Sequence, residues 1–487
     1  MIRPTWLSPA VARTEILAGL VVGLALIPEA ISFSIIAGLD PRVGLFSAVT
    51  MAVTIAFTGG RPAMITAAAG SVTLVLAPLA HRHGLDHVVA AVILAGVLQV
   101  VIALSGAARL MRFVPRSVMV GFVNALAILI FVSQLPNLID VPWPVYPMFA
   151  LALAVIVLGP RVSTLVPAPL IAIVVVTGLV AIVGWTVPTV GDQGKLPTSL
   201  PTLGLPDLPW TLDTLALIAP YSIGIALVGL MESLLTAKLV DDITDTGSDK
   251  TRESWGQGVA NVVTGFFGGI GGCALIGQTM INVKVSGART RLSTFMSGAL
   301  LLALVLPLGP VVAAIPMAAL VAVMIAVSVS TFDWHSVRPA TLRRMPKSET
   351  AVMVSTVTVV VVTHNLAYGV IAGVLVASVL FTRRVAHLVT VTSALSADGG
   401  TRTYLVHGQV FFASSNDLVE QFDYAGDPPQ IVVDLSSAQV WDASSVAALD
   451  AITHKYAGRG KQVRIVGLDP TSADRHDRLS GQLGVGV

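Results

Sequence analysis

The sequence predicts an α-helical polytopic membrane protein. It reads as fourteen transmembrane spans in a seven-plus-seven inverted repeat, followed by a small cytoplasmic α/β domain. Three observations carry this reading. Mean hydropathy is +0.84, and charged residues make up 11% of the chain, against about 25% in soluble domains. Uncharged runs cover 117–139, 254–283 and 292–332. A span needs about 20 apolar residues, so the last run holds two with a tight turn. The basic residues also sort sharply between the two sides that such a map creates.

The spans fall at roughly 14–38, 43–59, 62–80, 87–106, 115–136, 145–159 and 164–184, then at 213–238, 254–269, 272–286, 291–307, 310–330, 349–363 and 366–382. The Pro- and Gly-rich segment 185–212 is too polar to span and links the halves outside the membrane. On this map one side carries nineteen Lys and Arg of the membrane part, Arg3, Arg109 and Arg112 among them, and the other carries Arg42, Arg82 and Lys195. The positive-inside rule makes the first side cytoplasmic, and an even span count puts both termini there. The expected location is the cell's inner (plasma) membrane. The first apolar stretch continues into membrane sequence, so no cleavable signal peptide is expected.

From Asp398 onward the balance changes. The last 90 residues carry 18 charges (7 basic, 11 acidic), whereas the preceding 397 carry 38. The expected division is a membrane domain over 1–397, with repeats at about 14–184 and 213–384, and a soluble domain over 398–487. In the tail, 404–412, 431–435 and 463–466 read as strands by β-branched content, and 416–424 and 444–456 as helices. Alternation of the two predicts an α/β layer. The single cysteine, Cys273, excludes an intrachain disulfide and a multi-cysteine metal site. No nucleophile–base pair or metal cluster stands out, so an enzyme is not expected, nor a cofactor. No basic surface or phosphate loop points to a nucleotide or nucleic acid.

Two carboxylates lie inside apolar stretches. Glu29 follows Pro28 in the first span, and Glu232 sits 203 positions later in the eighth. Acids at bilayer depth are expensive and mark ion or proton pathways, and Pro28 removes a backbone donor and invites a break in its helix. Glu29 can carry a coupling proton or help to bind a cation; the structural alternative is a carboxylate held by Ser32 or Ser34. Glu232 has the same functional case, with an ion pair to Lys238 as the rival. Asn124 and Asn261 read as interhelical donors, and His364 as interfacial.

The runs Thr66–Ser71 in span 3 and Gly271–Thr279 in span 10 echo one another. Each enters the membrane through small residues, so each span becomes helical only midway. A helix that starts in mid-membrane leaves unpaired N–H groups and roughly half a positive charge at its end. Two such ends facing each other form an anion site without a basic side chain. The candidate cradle is Ala69, Gly70, Ser71, Gly277, Gln278 and Thr279, with Glu29 and Phe33 beside it. The alternative is that small residues here only let helices pack closely.

At these residues the chain resembles the SulP family of sulfate-permease-type anion transporters. The stretch Ala25-Leu26-Ile27-Pro28-Glu29-Ala30-Ile31-Ser32-Phe33, with Ala37–Pro41 and Gly44-Leu45, is similar to the family's first-span signature. Glu232-Ser233-Leu234 resembles its span 8 motif. Asn261, Gly265–Ile270, Asn282 and Gly287–Thr290 resemble its span 9–10 signature. In the tail, Val432–Ser436 and Asp442-Ala443-Ser444-Ser445 resemble the regulatory STAS domain that such transporters carry. The resemblance implies a core domain with spans 1, 3, 8 and 10 around the anion, a gate domain against which it moves, and a homodimer. It also implies that Ser444, with Ser445 its near rival, is a phosphorylation site for a cytoplasmic regulator; a plain N-cap is the alternative.

Two departures stand out. Many members have Gln where this chain has Glu29, and Ser-Arg-Ser/Thr where it has Gly277-Gln278-Thr279. Losing a fixed cation and gaining a titratable acid suits proton-coupled symport of an inorganic anion or small dicarboxylate, such as sulfate, bicarbonate or a fumarate-like acid. The rivals are an uncoupled anion channel, an anion exchanger, and a nucleobase permease, the last disfavoured by the STAS-like tail.

Overall fold

The computed structural model describes residues 8–106, 114–162, 167–209, 211–386 and 389–482. Arg3, Arg109, Arg112 and the first residues of the span expected at 164–184 lie outside them. The chain forms two compact units, Met1–Val374 and Leu375–Val487.

The first unit is helical. Its elements are α1 (Pro9–Ile36), α2 (Pro41–Thr58), β1 (Thr66–Ala67), α3 (Gly70–Leu104), α4 (Arg116–Gln134), α5 (Val145–Val162), α6 (Ala168–Val183), α7 (Leu212–Thr244), α8 (Lys250–Phe266), β2 (Cys273–Ala274) and α9 (Ile276–Met280). They are followed by α10 (Arg291–Val305), α11 (Gly309–Ala313), α12 (Met317–Thr331), α13 (Pro339–Arg344), α14 (Lys347–Thr363) and α15 (Leu366–Ala386), which leads into the second unit. Among the described residues, α1, α2, α3, α4, α7 and α15 are long and apolar enough to cross a bilayer; α5, α6, α10 and α12 are apolar but shorter.

The helices form two groups. In one, α3 packs on α7 and α8, α10 on α1 and α2, and α2 on α8; in the other, α12 packs on α4, α5 and α6, and α14 on α4. Glycines allow the closest crossings. A Cβ on Gly96 would stand 2.5 Å from the Gly258 carbonyl oxygen, and one on Gly258 would stand 2.6 Å from that of Gly96, so α3 and α8 touch backbone to backbone.

The most informative feature is small. β1 and β2, two residues each, pair antiparallel through Thr66↔Ala274 and Ala67↔Cys273. Each is extended chain inside the helical unit, and each leads directly into a helix. Backbone polar groups at such depth need partners, and the surrounding helices supply them. Ser233 Oγ accepts from Ala274 N at 3.1 Å, Thr279 Oγ1 accepts from Ile65 N at 3.0 Å, and Asn282 Nδ2 donates to Ala63 O at 2.8 Å. Asn261 clamps the peptide before β2 from both sides: its Oδ1 accepts from Gly272 N at 2.9 Å and its Nδ2 donates to Gly272 O at 3.1 Å. Asn261→Ala leaves a buried donor and acceptor unmet, each at about 1–3 kcal/mol. Its expected result is a clearly lower unfolding temperature of the detergent-purified protein, with Asn261→Asp intermediate.

Three details differ from the sequence expectation. The α1 helix runs unbroken through Pro28, so the acid-bearing first span is not interrupted; the interruptions lie at β1 and β2. The stretch expected as one span over 310–330 breaks into α11 and α12, because Thr189 and Pro316 form a bridge and Met317 N bonds to Pro188 O at 2.9 Å. α3 bends at Gly84, whose φ of 79° and ψ of −172° leave helical space, which corresponds to the expected gap between spans 3 and 4. Asn124 and Asn261 both bond between elements, Asn124 Nδ2 donating to Ser336 Oγ at 2.9 Å.

The second unit is a four-stranded sheet ordered β3 (Thr390–Leu395), β4 (Thr401–Val410), β5 (Gln430–Val440) and β6 (Gln462–Val466), with α16 (Ser415–Glu420), α17 (Ala443–Ala457) and α18 (Pro470–Leu479). β3–β4 is antiparallel, and β4–β5 and β5–β6 are parallel. β3 and α18 were not expected, since both are polar and largely exposed. The buried carboxylate Asp427 takes a 2.8 Å bond from the Tyr404 hydroxyl, another from the Tyr456 hydroxyl, and an ion pair with Arg402 at 3.0 Å. Burial keeps the Tyr456 phenol well above its usual range and pushes Tyr424 up to about 12. Both therefore stay neutral at physiological pH.

Candidate functional site

A cavity of about 420 Å³ lies between the two helix groups. One wall is built from Glu29 and Phe33 of α1, Gly70 of α3, Glu232 of α7, and Ile276, Gly277 and Gln278 of α9. The other is mostly apolar: Phe122, Leu126 and Ile130 of α4, Ile156 of α5, and Val323 and Val327 of α12, with Ser330 and Thr331 of α12 adding two hydroxyls. Among the described residues, no Lys or Arg lines the cavity.

Helices α3 and α9 begin at this cavity. The first backbone bond of α3 runs from Thr73 N to Ala69 O at 2.9 Å, and that of α9 from Thr279 N to Leu275 O at 3.1 Å. The amides of Gly70, Ser71 and Val72, and of Ile276, Gly277 and Gln278, precede those bonds and have no acceptor within their helices. Neither helix start carries a side-chain cap, although Ser, Thr, Asp or Asn commonly fills that role. α9 continues through a π turn, Ile281–Val285, giving a ten-residue helical segment. The antiparallel β1–β2 pair brings both starts together from opposite directions.

The carboxylates are each 8% exposed. Glu29 Oε1 accepts from Gln278 Nε2, which ties α1 to α9 across the site. Ser34 instead donates to Ala30 O and accepts from Gly44 N. Glu232 Oε2 accepts from the Ser71 hydroxyl, and from Cys273 Sγ at 3.2 Å. Lys238 is exposed and forms no ion pair with Glu232 among the described residues.

The structure thus brings Glu29, Phe33, Gly70, Gly277, Gln278 and Glu232 to one cavity. Ala69, Ser71 and Thr279 do not line it. Ala69 is the residue ahead of α3, its carbonyl taken by Thr73. Ser71 turns its hydroxyl to Glu232 and offers only its amide to the helix end. Thr279 is spent on both counts, its amide on Leu275 and its hydroxyl on the amide of Ile65. Gly70 is confined by the Phe33 ring, which a Cβ would meet at 2.8 Å, whereas a Cβ on Gly277 would meet nothing within 4 Å.

Sequence reasoning missed Cys273 as a partner of Glu232, and Phe122 as the opposite wall. Cys273 could have been found as the residue that the 207-residue repeat offset aligns with Thr66; Phe122 left no signal. It also missed two buried acids that close turns. Glu253 Oε2 accepts from Gly60 N and Arg61 N at 2.7 and 2.9 Å, and Glu15 Oε1 from Arg289 N and Thr290 N at 2.7 and 3.0 Å.

In the second unit Asp442 is the N-cap of α17, accepting from Ser445 N at 2.9 Å. Ser445 is fully buried and donates to Val410 O at 2.7 Å. Ser444 is exposed beside it.

The profile of the Sulfate permease family matches residues 13–151 and 140–356, and that of the STAS domain residues 394–480. The chain belongs to the sulfate permease family. Such proteins are membrane transporters, not enzymes. The Bacillus subtilis (strain 168) protein named "Putative sulfate transporter YbaR" is 52% identical over 94% of this chain and 95% of its own length. The "Bicarbonate transporter BicA" of Picosynechococcus sp. is 25% identical over 96% and 90%. Among solved structures, the murine Solute Carrier 26 family member A9 anion transporter superposes with a TM-score of 0.83 at 17% identity, covering 97% of this chain and 89% of that one. That likeness establishes the fold: a helical membrane unit followed by a STAS domain.

Proposed function

We propose that this protein is a secondary anion transporter that couples uptake of its anion to protons. What supports the reading is one arrangement: two uncapped helix starts face a cavity that holds two carboxylates and, among the described residues, no basic side chain. Each helix end contributes roughly half a positive charge, so the pair supplies about one. A single ionised Glu29 cancels that. Protonating Glu29 restores the positive pole, so anion and proton bind together. Glu232, on the same cavity, is the second proton-coupling candidate. Gly70, Gly277 and Gln278 form the anion cradle through their amides, and Phe33 and Phe122 exclude water.

The relatives' names point to sulfate and bicarbonate as the first anions to test, with small dicarboxylates next. The protein works in the plasma membrane as a homodimer, the assembly that the family resemblance implies, and the charge asymmetry predicts both termini to be cytoplasmic. The deciding experiment is uptake of each labelled anion into proteoliposomes with and without an acid exterior. Saturable uptake of one anion, accelerated by external acid, is the expected result. Flux that never saturates would indicate a channel, and uptake indifferent to the gradient but dependent on internal anion would indicate an exchanger.

The STAS unit is a regulatory input in this reading. Ser444 is the exposed hydroxyl in the first turn of α17, where the helix dipole favours a phosphate, and Ser445 is locked inward. Phosphopeptide mapping after treatment with a serine kinase fraction from the native host is expected to place the modification on Ser444. Ser444→Ala would remove it and Ser445→Ala would instead unfold the turn.

A further inference from the structure

A second concavity, of about 540 Å³, opens on the outside of the membrane unit, away from the transport cavity. It is bounded by the last turn of α2 (Ala56, Phe57), by Pro62, and by the segment Arg289–Phe295 that starts α10. Its walls divide by chemistry. Phe57 is 68% exposed and stacks edge to face on Phe295, with ring centroids 5.8 Å apart. These rings present an apolar surface of the kind that lipid chains cover. At the other edge stand Arg289 and Arg291.

The two guanidinium groups are only partly used. Arg289 Nη1 donates to Val283 O and Ala288 O at 2.6 and 2.8 Å, and Arg291 Nη1 to Ala56 O at 3.3 Å. Neither is in an ion pair among the described residues. Arg252 adds a third guanidinium at the same helix end, donating to Phe57 O and Thr58 O at 3.1 and 3.2 Å. Among the described residues the nearby carboxylates form no ion pair with this edge, although Glu253 lies close enough to act on Arg291 through space. Glu15 and Glu253 are both buried and face inward, their oxygens on the amides of Arg289 and Thr290 and of Gly60 and Arg61. Asp241 is committed to Arg61 and Lys250. Closing the carbonyl ends of helices occupies Arg252 and one nitrogen each of Arg291, on α2, and Arg289, on the Ile281–Val285 turn. It does not account for the remaining donors or for the exposed aromatic pair against them.

We infer that this concavity binds an anionic membrane phospholipid, its phosphate between Arg289 and Arg291 and its acyl chain along Phe57 and Phe295. Basic pockets between membrane helices near their cytoplasmic ends recognise such headgroups, and the charge asymmetry predicts that this end is cytoplasmic. The headgroup would join α2 to the turn that follows the Gln278-bearing helical segment, so lipid composition would act on the group of helices that carries the site. The inference does not depend on which anion is transported.

The test uses the full-length protein, stripped of lipid in detergent and titrated with phosphatidylglycerol or phosphatidylcholine, with bound lipid counted by native mass spectrometry. Phosphatidylglycerol is expected to bind at least tenfold tighter than phosphatidylcholine. Arg289→Gln with Arg291→Gln is expected to lower that affinity roughly 30-fold, and Arg289→Lys with Arg291→Lys to keep most of it. Soluble glycerol 3-phosphate is expected not to compete at equal concentration. Equal binding of the two lipids by the wild-type protein overturns the inference, and this comparison stands even if a variant misfolds. Unchanged preference in the glutamine variant, or full competition by glycerol 3-phosphate, overturns it as well.

Discussion

Glu29→Gln is expected to end proton-driven accumulation while leaving the protein folded. Glutamine has the shape of the protonated acid, and its carbonyl oxygen can accept the Gln278 bond that Glu29 accepts. The variant therefore keeps the link between α1 and α9 and holds Glu29 permanently in its uncharged form. On the proposed mechanism, each proton carried per anion allows up to about tenfold accumulation per pH unit of gradient, since one unit is worth 1.36 kcal/mol. Wild-type proteoliposomes facing a one-unit acid exterior should approach that ratio, and the variant should settle near equal concentrations inside and out. The sign follows from charge. Lowering external pH protonates Glu29, removes repulsion and raises inward flux; raising pH restores the negative charge and slows it. In the variant the initial rate should lose this dependence. An unaltered accumulation ratio would take the coupling role away from Glu29. Repeating the measurement in Glu232→Gln tells whether a second proton travels on the other carboxylate.

The second large effect is a contrast between two glycines five residues apart. Gly272→Ala places a methyl 1.9 Å from the Ala67 carbonyl oxygen and 2.6 Å from its carbon. Both atoms belong to backbone already fixed by the β1–β2 pair, so no side chain can swing aside. Overpacking of this kind costs about 1–3 kcal/mol or more, and here it pushes apart the segments that position both helix starts. Transport at background and a markedly lowered unfolding temperature are expected. Gly277→Ala meets no atom within 4 Å, and alanine is the better helix former. This variant should fold as well as wild type or slightly better. Its methyl projects into the cavity, so the expected change is a several-fold higher KM for the transported anion. If Gly272→Ala transports normally, the pairing is not what holds the site. If Gly277→Ala alters stability but not KM, the helix start of α9 does not face the cargo.

Much of this architecture could be read before any coordinates. Low charge and uncharged runs marked the helical membrane unit, and the rise in charge toward the C-terminus marked an α/β tail, although its first strand opens at Thr390, ahead of the change at 398. The small-residue runs gave the helix starts at Gly70 and Ile276, because Gly and Ala at membrane depth leave no side chain to hide a bare backbone. What was illegible depended on contacts between the halves. Nothing local distinguishes Ser71, which serves Glu232, from a residue that faces a ligand. Nothing local says that Thr279 spends its hydroxyl on Ile65, 214 positions away. The partner of Glu29 was sought among nearby serines and lies instead on α9, since a buried carboxylate takes whichever donor the packing delivers. Pro28 suggested a broken helix by a rule drawn from water-exposed chains, and α1 absorbs it without interruption. β3 and α18 escaped notice because polar, exposed elements carry little periodic apolar signal.

The four residues of β1 and β2 have a consequence for how such a machine can cycle. Because their ladder staples both helix starts to each other, the distance separating the two poles is a constant of one rigid body. On the proposed mechanism the cargo is not released by prising its two holders apart; it is carried, still clasped, past the wall formed by α4, α5 and α12. On that mechanism the geometry of the grip is the same whichever compartment it faces, and direction is set by the concentrations and proton supply on each side.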